Sequence, residues 1–153
     1  MSLAIASVAS GITMEWAPVG NSGNACDPEP TAYVPGCYGA VRYSYDIGKY
    51  EITNVQYTEF RNAKAKSDPF QLYNASMASS EYGFYCGITR TDVSGTYTYT
   101  LIAGRESMPV VWMSFYDALR FANWMNNGQG SGDTETGSYT LLSGPRLQAT
   151  ARP

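Results

Sequence analysis

The side chains that could carry chemistry in this chain are three cysteines and a few carboxylates, because the sequence contains no histidine. A Ser-His-Asp triad, a Cys-His pair and a histidine-based zinc site are therefore excluded. Cys26 and Cys37 bracket a loop rich in proline and glycine, and a disulfide across it would stabilise the fold by about 2–3 kcal/mol. We predict this disulfide, with two reduced thiols as the alternative. Cys86 is left over, and we interpret it as a buried free thiol rather than a reactive one.

Two further groups of residues could bind a ligand. Asp133 and Glu135 lie in a glycine-rich loop and offer the oxygen ligands that calcium takes, although we favour a solvated acidic turn. The 13 tyrosines could form a sugar-stacking surface, although alternating tyrosines in strands more often serve ordinary packing. The partner therefore stays unknown at this stage, with a protein or a carbohydrate as the ligand classes left open.

Composition limits the partners and the compartment. A net charge of -3 and the lack of any lysine or arginine cluster exclude nucleic acid as a partner. Only 15% of the residues are charged, which favours a secreted or periplasmic protein. No segment approaches the roughly 18 apolar residues of a transmembrane helix. Residues 1–11 contain a short apolar run without a positive start, which we interpret as a signal-peptide remnant or a disordered N-terminus.

The elements that must position these side chains are organised around residues 108–128. A short apolar run follows Pro109 and predicts a buried strand. Ser114 is a good N-cap and Asp117 completes a short capping box, so a helix is predicted to begin there. Gly128 lies where a C′ glycine would end it. The predicted apolar face of this helix consists of Phe115, Ala118, Leu119, Ala122 and Met125.

An earlier helix is predicted to begin at Thr53, with Gln56 as its partner in a capping box. The helix is predicted to run to about residue 66, with Tyr57 and Phe60 facing the core. Short strands are predicted at residues 12–16, 41–47, 87–90, 96–102 and 139–142, and apolar and polar residues alternate most clearly in 41–47. Residues 87–90 and 96–102 are predicted to pair as a hairpin around a turn. The predicted fold class is α+β, with two main helices, several short strands and little regular secondary structure.

Two segments resemble ordered signatures of one protein family. Residues 109–118 read PVVWMSFYDA and resemble the Pro-Val-x-x-Val-Ser-Trp-x-Asp-Ala signature of the formylglycine-generating enzyme, or sulfatase-modifying factor, domain. Residues 51–54 read EITN and resemble the family's Glu-Val-Thr-Asn signature, which precedes an aromatic helix. The resemblance covers roughly residues 13–142, the N-terminal half of the family's domain. The signature residues, which we interpret as caps and fold-defining contacts rather than catalysts, are Glu51, Thr53, Asn54, Pro109, Ser114 and Asp117.

The resemblance implies an incomplete C-type-lectin-like fold over residues 12–142. The founding enzymes oxidise a sulfatase cysteine to formylglycine with copper held by a cysteine pair, some relatives use iron, and calcium also occurs in the family. The copper-binding cysteines belong to the C-terminal half of that domain, and no position of this chain matches them. We therefore expect no catalytic residue, metal ligand or cofactor in this chain.

Residues 143–153 form a tail that differs in character from the loop before it. Arginine, alanine and proline replace acidic, serine, threonine and glycine residues, so we expect that the natural reading frame is lost near Gly144. The loss of half a domain would expose part of the apolar face built by Val110, Trp112, Phe121 and Trp124. The predicted function is that of a fragment of a formylglycine-generating-enzyme-like protein without catalytic activity of its own. The alternative is a non-catalytic C-type-lectin-like binding or structural module of an exported protein.

Overall fold

The computed structural model describes residues 11–27, 36–79, 86–91, 93, 95–141 and 149–151. Almost all of the predicted N-terminal segment 1–11 lies outside these residues. The chain divides into two compact units, one formed by Thr13–Tyr50 and the other by Met1–Ile12 with Glu51–Pro153. Neither described helix has the length and apolar character of a membrane-spanning segment.

The unit Thr13–Tyr50 contains one two-stranded antiparallel sheet, formed by β1 (Trp16–Val19) and β2 (Tyr45–Gly48). Both strands begin later than the alternating pattern predicted. In the second strand, the predicted first residue Val41 is not paired with another strand. Its backbone N–H donates to the Asn24 side chain at 3.0 Å instead. A loop contact therefore replaces the first half of the predicted second strand.

The predicted disulfide between Cys26 and Cys37 is present, with the two Cα atoms 5.1 Å apart. A backbone hydrogen bond of 2.8 Å from Asp27 to Tyr38 runs beside it. The bridge thus closes a segment that has no regular secondary structure in its described residues.

The first helix of the larger unit, α1 (Asn54–Lys64), begins as predicted. Thr53 is its N-cap, and both hydrogen bonds of the capping box with Gln56 are formed. Tyr57 and Phe60 are fully buried, as predicted. The helix ends two residues before the predicted position, where the Ala65 carbonyl accepts a hydrogen bond from the Tyr99 hydroxyl at 2.9 Å.

The predicted hairpin follows a single 3-10 turn at Ala75–Ala78. Strands β3 (Ile88–Arg90) and β4 (Tyr99–Leu101) pair antiparallel, with Ile88 opposite Leu101. Tyr99 is buried between exposed threonines, which confirms the predicted alternation. The predicted last strand is also present as β5 (Tyr139–Leu141).

Strand β5 pairs antiparallel with β6 (Ala149–Ala151). Strand β6 lies within residues 143–153, for which a divergent tail was predicted from composition. The limits of that tail stay a prediction.

The buried strand predicted after Pro109 is wrong. Residues 110–113 form no strand, and Trp112 has a φ of +63°. An extended strand needs negative φ values, so this left-handed residue breaks the path. Trp112 is 42% exposed as a result.

The second helix, α2 (Phe115–Asn126), begins and ends as predicted. The Ser114 backbone N–H donates to the Asp117 carboxylate at 2.7 Å, and the Asp117 N–H donates back to the Ser114 hydroxyl at 3.2 Å. Gly128 follows the C-cap residue Asn127 with a φ of +80°, the left-handed conformation that a C′ glycine adopts easily.

The predicted buried face of α2 is confirmed at Leu119 and wrong at Phe115, which is 69% exposed. Ala118, Ala122 and Met125 are only half-buried. Three polar residues, Asp117, Arg120 and Asn123, also belong to the buried face, because each has a hydrogen-bond partner within the protein. A prediction from the spacing of apolar residues alone cannot include them. The buried residues of α2 are Asp117, Leu119, Arg120, Phe121, Asn123 and Trp124.

An aromatic cluster forms the centre of the larger unit. Phe60 lies 5.2 Å from Trp124 and 5.4 Å from Phe121, measured between ring centroids, and Tyr57 lies 5.5 Å from Phe60. Of the apolar face that was predicted to be partly exposed, Trp112 is 42% exposed, whereas Phe121 and Trp124 are 6% and 1% exposed. Phe60 and Tyr57 of helix α1 pack against these two buried rings.

Candidate binding site

The two signature segments lie side by side in the larger unit. Thr53 and Pro109 form an isolated antiparallel bridge. Two backbone hydrogen bonds of 2.8 Å flank the bridge, from Val110 to Ile52 and from Asn54 to Met108. The start of α1 is thereby tied to the segment that leads into α2.

Asn54 is the most buried of the signature residues. Its side-chain amide donates to the Arg105 carbonyl at 2.9 Å. A Cβ atom at Gly87 would lie only 2.1 Å from the same amide nitrogen, so the backbone of residue 87 packs directly against Asn54. Asn54 is thus a structural contact, whereas Glu51 and Pro109 are exposed.

Ser114 and Asp117 cap α2 and also line a concavity of about 620 Å³. Its lining comprises four residues of the segment 70–74, which we call the 70–74 wall, five residues of the segment 112–117, and Arg120. This volume lies in the range of about 300–1,000 Å³ that is typical of small-molecule sites. The concavity is therefore the candidate site of the larger unit.

Arg120 lines this concavity and is buried, and its charge is paired with the Glu135 carboxylate. Its Nε donates to one Glu135 oxygen at 2.7 Å and its Nη2 to the other at 3.1 Å. The guanidinium group also lies 4.3 Å from the centroid of the Phe70 ring. Arg120 therefore orients Phe70 and offers no free charge to an anionic ligand.

Two further arginines, Arg61 and Arg90, contact the wall formed by residues 70–74. The Tyr73 ring is contacted by the guanidinium groups of Arg61 and Arg90, at 5.0 and 4.6 Å from its centroid. Burial lowers the pKa of Arg61, whose Nη2 donates to the Leu72 carbonyl at 2.6 Å. These contacts hold the wall against the α1–hairpin core.

Asp68 fixes the turn that leads into this wall. Its carboxylate accepts a hydrogen bond from the Leu72 N–H at 2.7 Å and forms an ion pair of 3.4 Å with Arg90. Gln71, inside the turn, has a φ of +54°. The turn therefore presents Phe70 and Gln71 from a backbone that is fixed at both ends.

In the acidic loop for which calcium was considered, the two carboxylates already have partners, either within the loop or in Arg120. The Asp133 carboxylate accepts hydrogen bonds from the Thr136 side chain and from the backbone of Glu135 and Thr136, and these contacts lower its pKa. Glu135 is engaged by Arg120. In the part of the chain that the structure describes, no three histidine, cysteine or acidic residues converge on a metal position.

The residues of the chain do not fit the copper or iron sites that the resemblance implies. Cys26 and Cys37 are joined to each other, and the buried Cys86 thiol donates to the Ser76 carbonyl at 2.9 Å. The interpretation of Cys86 as a buried free thiol is thereby confirmed. A two-thiolate copper site needs a cysteine pair, and the usual facial iron site needs two histidines, which this sequence lacks.

Sequence reasoning missed most residues that line the concavity. Phe70, Gln71 and Arg120 carried no recognised signal, and Trp112 was assigned to a strand. Positive φ values at Gln71 and Trp112 are not visible in the sequence, since neither residue favours that conformation. The spacing of three between Asp117 and Arg120 was the one local hint that both lie on the same helical face.

The capped helices, the bridge between the two signatures and the short two-stranded sheets make up a mixed fold of two helices and short strands. The chain belongs to the sulfatase-modifying factor enzyme 1-like domain family, with a match that spans residues 22–152. Neither a curated protein nor a solved structure matches the chain.

Proposed function

We propose that this chain forms the N-terminal, scaffold part of a formylglycine-generating-enzyme-like domain with a C-type-lectin-like fold, and that it does not oxidise cysteine itself. The state of its cysteines carries the proposal. Cys26 and Cys37 have no free thiolates in the disulfide, and Cys86 alone offers one buried thiol. The chain therefore cannot supply the cysteine pair through which the family's founding enzymes hold copper.

The purified chain is expected to give no formylglycine when it is incubated with copper, oxygen and a cysteine-containing peptide. The measurement is the mass of the peptide after derivatisation of any aldehyde, with the same peptide and free copper as background. The Cys86→Ser variant is the control for oxidation at the remaining thiol. Turnover above background that disappears in Cys86→Ser would show that the chain is catalytic and would overturn the proposal.

A second candidate function is that of a non-catalytic binding module. The concavity between residues 70–74 and 112–117 favours it, because aromatic rings and amide side chains meet there without a free charge. Ligand binding by this chain in the absence of turnover would support the second function.

We also propose that the protein is secreted or periplasmic. The Cys26–Cys37 disulfide supports this location, since such bonds persist mainly in oxidising compartments. Protein isolated from its natural source without reductant should then contain one titratable thiol after denaturation. Three thiols would place the protein in a reducing compartment.

A further inference from the structure

Two exposed aromatic side chains line the concavity. Phe70 is 38% exposed and Trp112 is 42% exposed, although both are large apolar side chains. The Arg120 guanidinium packs against the Phe70 ring, and Trp112 projects from a left-handed backbone. Aromatic faces of this kind bind ligands that are apolar on one side and polar at the edge.

The charged groups of the concavity are satisfied within the protein. Both Arg120–Glu135 hydrogen bonds are short, and the Asp117 carboxylate accepts the Ser114 N–H at 2.7 Å. Arg120 and Asp117 are both buried. A charged ligand would have to break these contacts or lose its hydration without a partner, so the site favours a neutral ligand.

Amide side chains supply the polar rim beside the rings. Gln71 and Asn74 are both exposed and both line the concavity. The Gln71 amide carries a donor and an acceptor, which matches a hydroxyl group that can also do both. Asn74 offers its NH2 group as a donor, because its Oδ1 accepts the Ser76 N–H at 2.9 Å. Adjacent hydroxyls on a ring are the ligand groups that fit such a rim.

The backbone that presents these side chains is unusual at two points. Gln71 and Trp112 have φ values of +54° and +63°, which non-glycine residues rarely adopt. Backbone strain of this kind concentrates at functional sites, because the surrounding structure must hold it in place. Both residues line the same concavity.

From these observations we infer that the concavity binds a neutral carbohydrate. The C–H face of a sugar ring packs against Trp112 and Phe70, and its hydroxyl groups bond to Gln71 and Asn74. This inference goes beyond the scaffold role and does not depend on whether the chain lacks catalysis. No metal ion takes part in the contacts that carry it.

Isothermal titration calorimetry of the full chain with neutral oligosaccharides tests the inference. The probes are the linear hexamers of β-1,4-glucose, β-1,4-xylose, α-1,4-glucose and β-1,4-N-acetylglucosamine, each titrated to about 10 mM, a weak-binding range. A hexamer of α-1,4-galacturonic acid and a cysteine-containing peptide serve as the charged and polypeptide comparisons. EDTA in all solutions removes adventitious calcium.

Three variants connect binding to the concavity. Trp112→Ala should weaken the best neutral ligand about tenfold, because one stacked ring is lost, and Gln71→Ala should weaken it about threefold. Trp16→Ala is the matched control, since Trp16 is also exposed but belongs to the unit Thr13–Tyr50, and it should leave the affinity unchanged. Circular dichroism spectra that match the unchanged protein show that each variant is folded.

Binding of at least one neutral hexamer that Trp112→Ala weakens and Trp16→Ala does not would support the inference. Failure of all four neutral hexamers to bind would overturn it. Binding that is the same in the Trp112→Ala variant, or binding of the galacturonic acid hexamer or the peptide in place of the neutral probes, would overturn it as well. None of these results bears on copper-dependent turnover, so the scaffold proposal is tested separately.

Discussion

Replacement of Trp124 by alanine is expected to lower the free energy of unfolding by about 4 kcal/mol, within the range found for large aromatic residues in cores. Trp124 is almost completely buried and packs between Phe60 and Phe121, at centroid distances of 5.2 and 5.9 Å. Its indole N–H also donates to the Gly130 carbonyl at 3.0 Å. The substitution would leave a cavity and an acceptor without its donor.

Urea denaturation followed by circular dichroism measures this change. The Trp112→Ala variant is the control within the same unit, because Trp112 is half-exposed and its loss should cost less than about 1 kcal/mol. Similar losses for the two variants would mean that Trp124 is not in a packed core. Such a result would place Trp124 in the exposed part of the apolar face that the sequence predicted.

Replacement of Gly87 by alanine is expected to destabilise the protein by about 3 kcal/mol, through overpacking and a disturbed buried hydrogen bond. The new Cβ atom would lie 2.1 Å from the Asn54 amide nitrogen and 2.4 Å from its Cγ atom. Asn54 cannot move without losing its hydrogen bond to Arg105. The cost is therefore steric rather than a matter of glycine flexibility.

Two comparisons separate this clash from a general effect of alanine. Gly20→Ala should change stability by less than about 0.5 kcal/mol, since nothing lies within 4 Å of a Cβ atom at that position. In a double-mutant cycle, Asn54→Ala should relieve part of the cost of Gly87→Ala, because neighbouring residues are not additive. Fully additive effects of Gly87→Ala and Asn54→Ala would exclude the clash as the cause.

Local hydrogen bonds made parts of the fold predictable. The capping boxes at Thr53 and Ser114 involve atoms no more than three residues apart, so residue type and spacing sufficed to predict where both helices begin. The same holds for Gly128, whose left-handed conformation ends α2. The disulfide and the hairpin were predicted from flanking turn residues and short separations.

The family assignment also came from the sequence, because its two signatures are short and contiguous. The contact between the two signatures in space was not predicted from the sequence. The bridge between Thr53 and Pro109 joins residues that are far apart in the chain. The pairing does not continue into the strand expected from the apolar run, because Trp112 has a left-handed backbone.

The sequence by itself determined where both helices begin, where α2 ends, the cysteine pairing and the family, since each depends on neighbours along the chain or on a contiguous motif. The tertiary structure alone decided which face of α2 is buried and where a ligand could bind. Arg120 enters the buried face because Glu135, in a later loop, pairs its charge. The concavity exists because residues 70–74 and 112–117 meet in space, with left-handed residues that no periodicity encodes.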